Sequence, residues 1–97
     1  MRPPVFRAAA AADVEEAYRW YEAQRAGLGD AFVASIQAAL DSILAHPEGA
    51  RILHRDARRL LLTRFPYGLH YRLVEGQVVV VACFHARRNP RVWRTRP

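Results

Sequence analysis

Two stripes of apolar residues at helical spacing occupy the first half of the chain. One runs from about residue 9 to residue 25, and the other begins after a Gly-Leu-Gly turn and ends at His46-Pro47. Apolar residues three or four positions apart share one face of a helix, so each stripe predicts an amphipathic helix. Asp30 can cap the second helix, and the two helices are predicted to form a hairpin. The stripes consist of Val14, Ala17, Tyr18 and Tyr21, and of Phe32, Ile36, Leu40 and Ile43.

After Pro47 the apolar period changes from 3.6 to 2, which is typical of β-strands. The segments that alternate in this way are residues 51–53, 58–65, 67–74 and 77–84. The short β-leaning segment Pro3–Arg7 predicts a further strand, which its prolines confine to a sheet edge or a strand start. The second half is therefore predicted to be a β-meander.

Glu75-Gly76 has the composition of a two-residue hairpin loop, which pairs residue 74 with 77, 72 with 79, 70 with 81 and 68 with 83. This register places His70 and Arg72 on one face of the sheet, with His85 continuing onto the same face. The opposite face is apolar, and we expect the helices to cover it. Its predicted members are Tyr67, Leu69, Tyr71, Leu73, Val78, Val80, Ala82 and Phe84.

These elements predict an α+β fold in a single domain over residues 1–97. An N-terminal short strand and a two-helix hairpin pack on a mostly antiparallel, twisted sheet of three to four strands. Hydrophobic residues make up 52% of the 97 residues, which is enough for one compact core in a chain of this size. A loop or short final strand around residues 91–94 is expected to close the chain.

Several protein classes are excluded by length and composition. The longest purely apolar run is Val78–Phe84, which is shorter than the roughly 20 residues of a membrane-spanning helix. The N-terminal residues lack an apolar signal segment, so we expect no membrane association and no secretion. A lone cysteine, Cys83, cannot form an internal disulfide, which fits a reducing compartment. We expect the protein to be cytoplasmic.

Charge is unevenly distributed along a chain whose net charge is +6. Residues 1–50 hold four Arg against seven acidic residues, a net charge of −3, whereas residues 51–97 hold eleven Arg against Asp56 and Glu75, a net charge of +9. All basic residues are arginine, which coding bias explains as well as function does. The basic second half favours a polyanion or an acidic protein segment as partner.

Motifs for metal, cofactor or nucleophile chemistry are not found. The histidines His46, His54, His70 and His85 lack metal-ligand spacing, and we expect neither a metal nor a cofactor. Cys83 lies within an apolar strand and is predicted to be a small buried residue. The Gly-Leu-Gly segment has no following lysine, which favours a turn between helices over a phosphate-binding loop.

The strongest candidate site is a basic constellation on the predicted sheet and at the end of the chain. Guanidinium groups with an imidazole could perform metal-free RNA cleavage, because they supply a base, an acid and cations for a phosphorane. The same residues could form a solvated arginine-rich edge, pack Trp93 onto the sheet or dock an acidic partner. The constellation consists of His70, Arg72, His85, Arg87, Arg88, Arg91, Trp93, Arg94 and Arg96.

An ordered set of motifs resembles the RelE/ParE superfamily of type II toxin–antitoxin toxins, also described as plasmid stabilization proteins. The most specific part is Phe65-Pro66-Tyr67 followed by a His-x-Arg-Arg-x-Pro-x-x-Trp pattern from His85 to Trp93. The resemblance spans nearly the whole chain and implies two helices packed on a mostly antiparallel sheet. The supporting motifs are Asp13-Val-Glu-Glu-Ala, Trp20-Tyr-Glu22, Gly27-Leu-Gly-Asp-Ala-Phe32, His46-Pro47 and Tyr71-Arg72.

The resemblance implies one of two activities. The RelE-like branch cleaves mRNA on the ribosome without a metal, and Arg59 and Arg88 stand at two of its basic positions. Leu61 stands where that branch is usually basic, and Trp93-Arg94 stands where its tyrosine is expected. These departures favour the ParE-like branch, which inhibits DNA gyrase through protein contact and is not a nuclease. If the chain is a ribonuclease, the candidate catalytic residues are His85, Arg88, Arg59 and His70.

The resemblance also implies a partner, a small cognate antitoxin whose C-terminal segment wraps the toxin in a hetero-oligomeric complex. The basic second half predicts that this segment is acidic. The residues predicted to contact the antitoxin or the target are Arg59, Arg72, His85, Arg87, Arg88, Arg91, Trp93, Arg94 and Arg96. A third interpretation is a basic nucleic-acid-binding module without toxicity, but no predicted helix carries an arginine stripe suited to a DNA groove.

Overall fold

The computed structural model describes residues 2–89, 91, 95 and 96. A short strand precedes two helices, and four further strands follow them. The predicted strands and helices are all present, with ends that differ by a few residues. The elements are β1 (Val5–Phe6), α1 (Ala8–Gln24), α2 (Leu28–Ala45), β2 (Arg51–His54), β3 (Ala57–Leu61), β4 (Tyr67–Val74) and β5 (Gln77–His85).

All five strands form one sheet in the order β1-β5-β4-β3-β2. β1 pairs in parallel with β5, whereas the other neighbours are antiparallel. The predicted α+β fold is confirmed, but the predicted sheet of three to four strands is too small. The fifth strand is β1, whose two residues pair with Val79 and Val80 of β5. The expected final strand around residues 91–94 lies largely outside the described residues.

The turn between α1 and α2 is held by a carboxylate. Glu22 accepts hydrogen bonds from the backbone N–H groups of Gly27, at 3.0 Å, and Gly29, at 2.9 Å. These donors belong to the N-terminal end of α2, where backbone N–H groups have no partner within the helix. Gly27 has a left-handed φ of 88°, a conformation that glycine adopts without strain. Asp30, the predicted cap, lies inside the first turn of α2.

The core lies between the helical hairpin and one face of the sheet. Tyr21, Phe32, Phe65 and Tyr67 form an aromatic cluster with ring centroids between 4.8 and 6.0 Å apart. Tyr71 is fully buried among these elements, and its hydroxyl donates to the carbonyl of Pro47 at 2.7 Å. The burial of these large side chains supplies the main driving force for folding.

α2 is long and apolar enough to cross a membrane by length and composition alone. Its apolar face is, however, packed in the core, with Phe32, Ile36, Leu40 and Ile43 all buried. This is the pattern of a core helix in a folded domain.

A β-bulge changes which side chains of β5 face the helices. The predicted pairs 74 with 77 and 72 with 79 are confirmed, but beyond the bulge His70 pairs with Ala82, and Val81 is the extra residue. An extra residue shifts the alternation of side chains by one. Cys83 therefore lies in the helix-covered core, while Ala82 and Phe84 lie on the opposite face, called the outer face. The predicted placement of Ala82 and Phe84 is wrong for this reason.

Candidate functional site

Arg59 and His70 are neighbours on the outer face, where they form a cross-strand pair between β3 and β4. The side chain of Arg59 lies across Gly68. A Cβ added to Gly68 would be only 2.9 Å from Cγ and Cδ of Arg59. Arg72 lies further along the same face and pairs with Asp56 at 3.5 Å. The sequence prediction of a common face for His70 and Arg72 agrees with this arrangement.

His70 is buried on the outer face beside Arg59. Its residue is only 2% exposed. Burial, together with the positive charges of Arg59 and Arg96, lowers the pKa of His70 from 6.5 to about 4. The imidazole is therefore neutral at physiological pH, and it is covered by protein atoms.

Phe84 lies under two guanidinium groups at the end of the outer face. The guanidinium carbon of Arg88 is 4.2 Å from the ring centroid, and that of Arg96 is 4.5 Å away. Both distances are typical of cation–π contacts. Because the bulge places Phe84 on this face, its ring contacts both Arg88 and Arg96.

Arg96 is also tied to the first helix. Its guanidinium donates to both carboxylate oxygens of Asp13, at 2.6 and 3.2 Å, and to the carbonyl of Val81 at 3.2 Å. The same carboxylate accepts the backbone N–H of Cys83 at 3.0 Å. These bonds provide partners for the carbonyl of Val81 and the N–H of Cys83 at the edge of β5, beyond the end of β1. Arg96 therefore makes a structural contact.

His85 lies on the other side of the sheet from His70. Its ring packs edge-on against Tyr67 with centroids 5.4 Å apart, and its Nδ1 accepts the backbone N–H of Arg87 at 3.1 Å. The predicted placement of His85 on the face of His70 and Arg72 is therefore wrong, and the bulge at Val81 is the cause.

The predicted site residues thus fall into separate groups. Arg59, His70 and Arg72 share the outer face, whereas His85 faces the helix side. Arg87, Arg88 and Arg91 are exposed near the end of β5. Trp93 and Arg94 lie outside the described residues. Among the residues described, no group of three His, Cys, Asp or Glu side chains could hold a metal ion.

A groove of about 810 Å³, called the α1–β5 groove, was not predicted from the sequence. α1 forms one wall, and the start of β4, the end of β5 and Arg88 form the other. Trp20 projects from α1 at the groove and is 58% exposed. Trp20 is next to Tyr21 of the predicted apolar stripe in the sequence. A single exposed tryptophan does not form a repeating pattern, so the sequence did not predict the groove. The lining includes Glu16, Trp20, Pro66, Tyr67, His85 and Arg88.

Comparison with known protein families shows the family of this chain. The model of the family described as ParE toxin of type II toxin–antitoxin system, parDE, matches residues 5–90. The chain belongs to the ParE toxin family. This family is part of the superfamily that the sequence motifs resemble, and the match favours its ParE-like branch.

A solved structure supports the ParE fold. The chain is similar to one titled "Chromosomal ParDE TA system from P. aeruginosa", with a TM-score of 0.67 and 18% sequence identity. The match covers 88% of this chain and 96% of that chain. A comparison with curated proteins found no match. Membership of the ParE family implies a cognate antitoxin as partner.

Proposed function

We propose that this ParE family member inhibits DNA gyrase in the bacterial cytoplasm, blocks replication and growth, and is neutralised by its cognate antitoxin. The family match over residues 5–90 supports the toxin–antitoxin assignment. The choice of gyrase rests on how the basic residues are arranged, because fold alone does not determine the target.

The division of the candidate ribonuclease residues is the observation that carries the proposal. RNA cleavage requires an acid, a base and cations around one phosphate. Here His85 lies on the helix side of the sheet, whereas Arg59 and His70 lie on the outer face. His70 is also covered and has a pKa of about 4, which makes it a poor proton donor at neutral pH. The arrangement therefore favours binding over phosphodiester chemistry.

The arginines near the end of β5 are suited to a protein target. Three ion pairs are formed within the described part of the chain, and none includes Arg87, Arg88 or Arg91. Unpaired surface arginines accelerate association with acidic partners and form bidentate contacts with carboxylates. Together with Arg59 and Arg72 of the outer face, they are the proposed contacts with gyrase.

Induced expression in a bacterial host tests the proposal, with separate pulse labelling of DNA and protein synthesis. We expect DNA synthesis to stop first, with induction of the DNA-damage response. Arg88→Ala should weaken growth inhibition, whereas Arg51→Ala, an exposed arginine on β2, should leave it unchanged. If translation stops first and mRNA is cleaved, the ribonuclease alternative replaces the gyrase proposal.

A further inference from the structure

Three paired residues cross one end of the outer face. Leu61 of β3 pairs with Gly68 of β4, which in turn pairs with Phe84 of β5. Phe84 is only 2% exposed and lies under the guanidinium groups of Arg88 and Arg96. Leu61, in contrast, is 50% exposed. Leu61 is therefore the accessible apolar side chain among the three.

Gly68 brings Leu61 together with the hydrocarbon part of Arg59. A Cβ added to Gly68 would lie 2.9 Å from Cγ and Cδ of Arg59 and 3.3 Å from Cδ2 of Leu61. Both side chains therefore lie over the glycine, and the methylene groups of Arg59 extend the apolar surface of Leu61. Arginine packs its methylene groups on apolar surface in this way while its charged end stays hydrated. We call the surface formed by Leu61, Gly68 and these methylene groups the Leu61 strip.

The charge around the Leu61 strip is positive and has no internal counter-charge. Arg59 and Arg88 belong to none of the ion pairs formed within the described part of the chain. Asp56, in the turn between β2 and β3, already pairs with Arg72 at 3.5 Å. After Asp56 the one acidic residue in the sequence is Glu75, which follows the opposite end of β4. A partner of complementary chemistry therefore carries several negative charges.

The exposed leucine favours a protein over a nucleic acid as this partner. Contacts with nucleic-acid phosphates are made by cations and hydrogen-bond donors, so an aliphatic side chain adds nothing to them. Protein interfaces instead combine a desolvated apolar centre with arginine contacts. The Leu61 strip with Arg59 and Arg88 has this composition, and carboxylates are the negative groups that a protein supplies.

We propose that Leu61 is the apolar anchor by which the outer face binds a protein segment that presents an apolar side chain flanked by carboxylates. The apolar side chain covers the Leu61 strip, and the carboxylates pair with Arg59 and Arg88. This inference rests on the proposed function, because gyrase is the protein target proposed there. It specifies the chemistry of the gyrase segment, and it predicts two kinds of contact that respond differently to salt.

Binding of purified toxin to purified gyrase at about 0.1 M and about 0.5 M salt tests the anchor. Leu61→Ser should weaken the Kd by about 5- to 10-fold, the loss expected when half of a leucine side chain is no longer buried. This factor should be the same at both salt concentrations. Arg88→Ala should also weaken binding, but its factor should shrink at the higher salt concentration because ions screen the charge.

Ile52→Ser is the matched control. Ile52 is 51% exposed on the neighbouring strand β2, but it pairs with Arg58, which pairs with Tyr71 of the helix-covered face. Its replacement should leave the Kd within about 2-fold. Leu61→Met keeps an apolar side chain of similar volume and should bind as the native chain does.

Photo-crosslinking gives a readout that does not depend on the stability of the serine variants. A benzophenone amino acid at position 61 should crosslink to gyrase, and one at position 52 should not. Unchanged affinity of Leu61→Ser, or no crosslink from position 61 in a complex that forms, overturns the anchor and leaves the proposed function intact.

A labelled DNA duplex tests the nucleic-acid alternative. If the toxin binds this duplex without gyrase, and Leu61→Ser leaves that binding unchanged, the outer face is a nucleic-acid surface and the anchor assignment is wrong. If the native toxin neither binds gyrase nor stops DNA synthesis, the proposed function fails and this inference fails with it.

Discussion

The two faces of the sheet are built from different chemistry. The helix-covered face holds large apolar side chains such as Leu69, Tyr71 and Val80, all of which are fully buried. The outer face has a smaller buried group, Ala57, Ala82 and Phe84, which includes no residue of α1 or α2. Arginine side chains lie over Phe84 instead. The contrast indicates that the helix-covered face determines the fold, while the outer face carries arginines that we propose contact gyrase.

Among the variants considered, Tyr71→Ala, in the helix-covered face, should cause the largest loss of stability. The side chain is fully buried and its hydroxyl bonds Pro47, so its removal leaves a cavity in the core. We expect a loss of about 3–5 kcal/mol in the free energy of unfolding, measured by urea denaturation. Tyr71→Phe, which keeps the ring, should cost only about 1 kcal/mol. Equal effects of the two variants would contradict the cavity explanation.

The outer face should be the source of a specific pH dependence. Folding lowers the pKa of His70 to about 4, so the unfolded chain binds the proton more readily. The free energy of unfolding should therefore fall as the pH decreases from 6.5 to 4, by about 3 kcal/mol in total for this residue. Urea midpoints of the native chain and of His70→Asn across this range check it. The dependence should be weaker in the variant, and parallel curves would show that His70 is not the source.

Asp13→Asn tests the contact between Arg96 and α1 at the edge of the sheet. Asparagine can still accept the N–H of Cys83 but loses the charge that holds Arg96. We expect a loss of about 1–2 kcal/mol, since the ion pair is largely shielded from water. Glu15→Gln, which breaks the exposed pair with Arg19, is the control and should cost less than about 0.5 kcal/mol. Thermal melts that show the same shift for both variants would contradict a structural role for the Arg96 contact.

Apart from the control Glu15→Gln, Arg88→Ala should have the smallest effect on stability. Its guanidinium stacks on Phe84 from an exposed position, and loss of that contact should cost about 0.5–1 kcal/mol. The effect on growth inhibition should be much larger than this cost implies. A variant that keeps full toxicity at native expression levels would remove Arg88 from the proposed target contact.

The sequence was sufficient for the helices, the strands and the loop at Glu75-Gly76, because periodicity and turn composition are local properties. It was insufficient for the bulge at Val81. Four consecutive valines, Val78–Val81, suit either face of a sheet, so no alternation shows where the extra residue lies. Without the bulge, simple alternation places Phe84 on the helix-covered face and His85 on the outer face. The predicted site therefore combined His85 with His70 and Arg72, which the structure places on the opposite face.

Contacts between distant parts of the chain were also beyond sequence reasoning. Asp13 and Arg96 are 83 positions apart, and nothing local indicates that they pair. The α1–β5 groove likewise depends on how α1 crosses the end of β5. Trp20 belongs to one of the sequence motifs, but its exposure depends on how α1 packs against the sheet.

An assay with purified gyrase tests the central claim most directly, that this fold acts by contact with gyrase and not by RNA cleavage. Purified toxin is added to a supercoiling reaction and, in parallel, to a cell-free translation reaction with labelled mRNA. The account predicts inhibited supercoiling, or accumulation of cleaved DNA, that is reduced by Arg88→Ala, with the mRNA left intact. Normal supercoiling together with cleaved mRNA would contradict it.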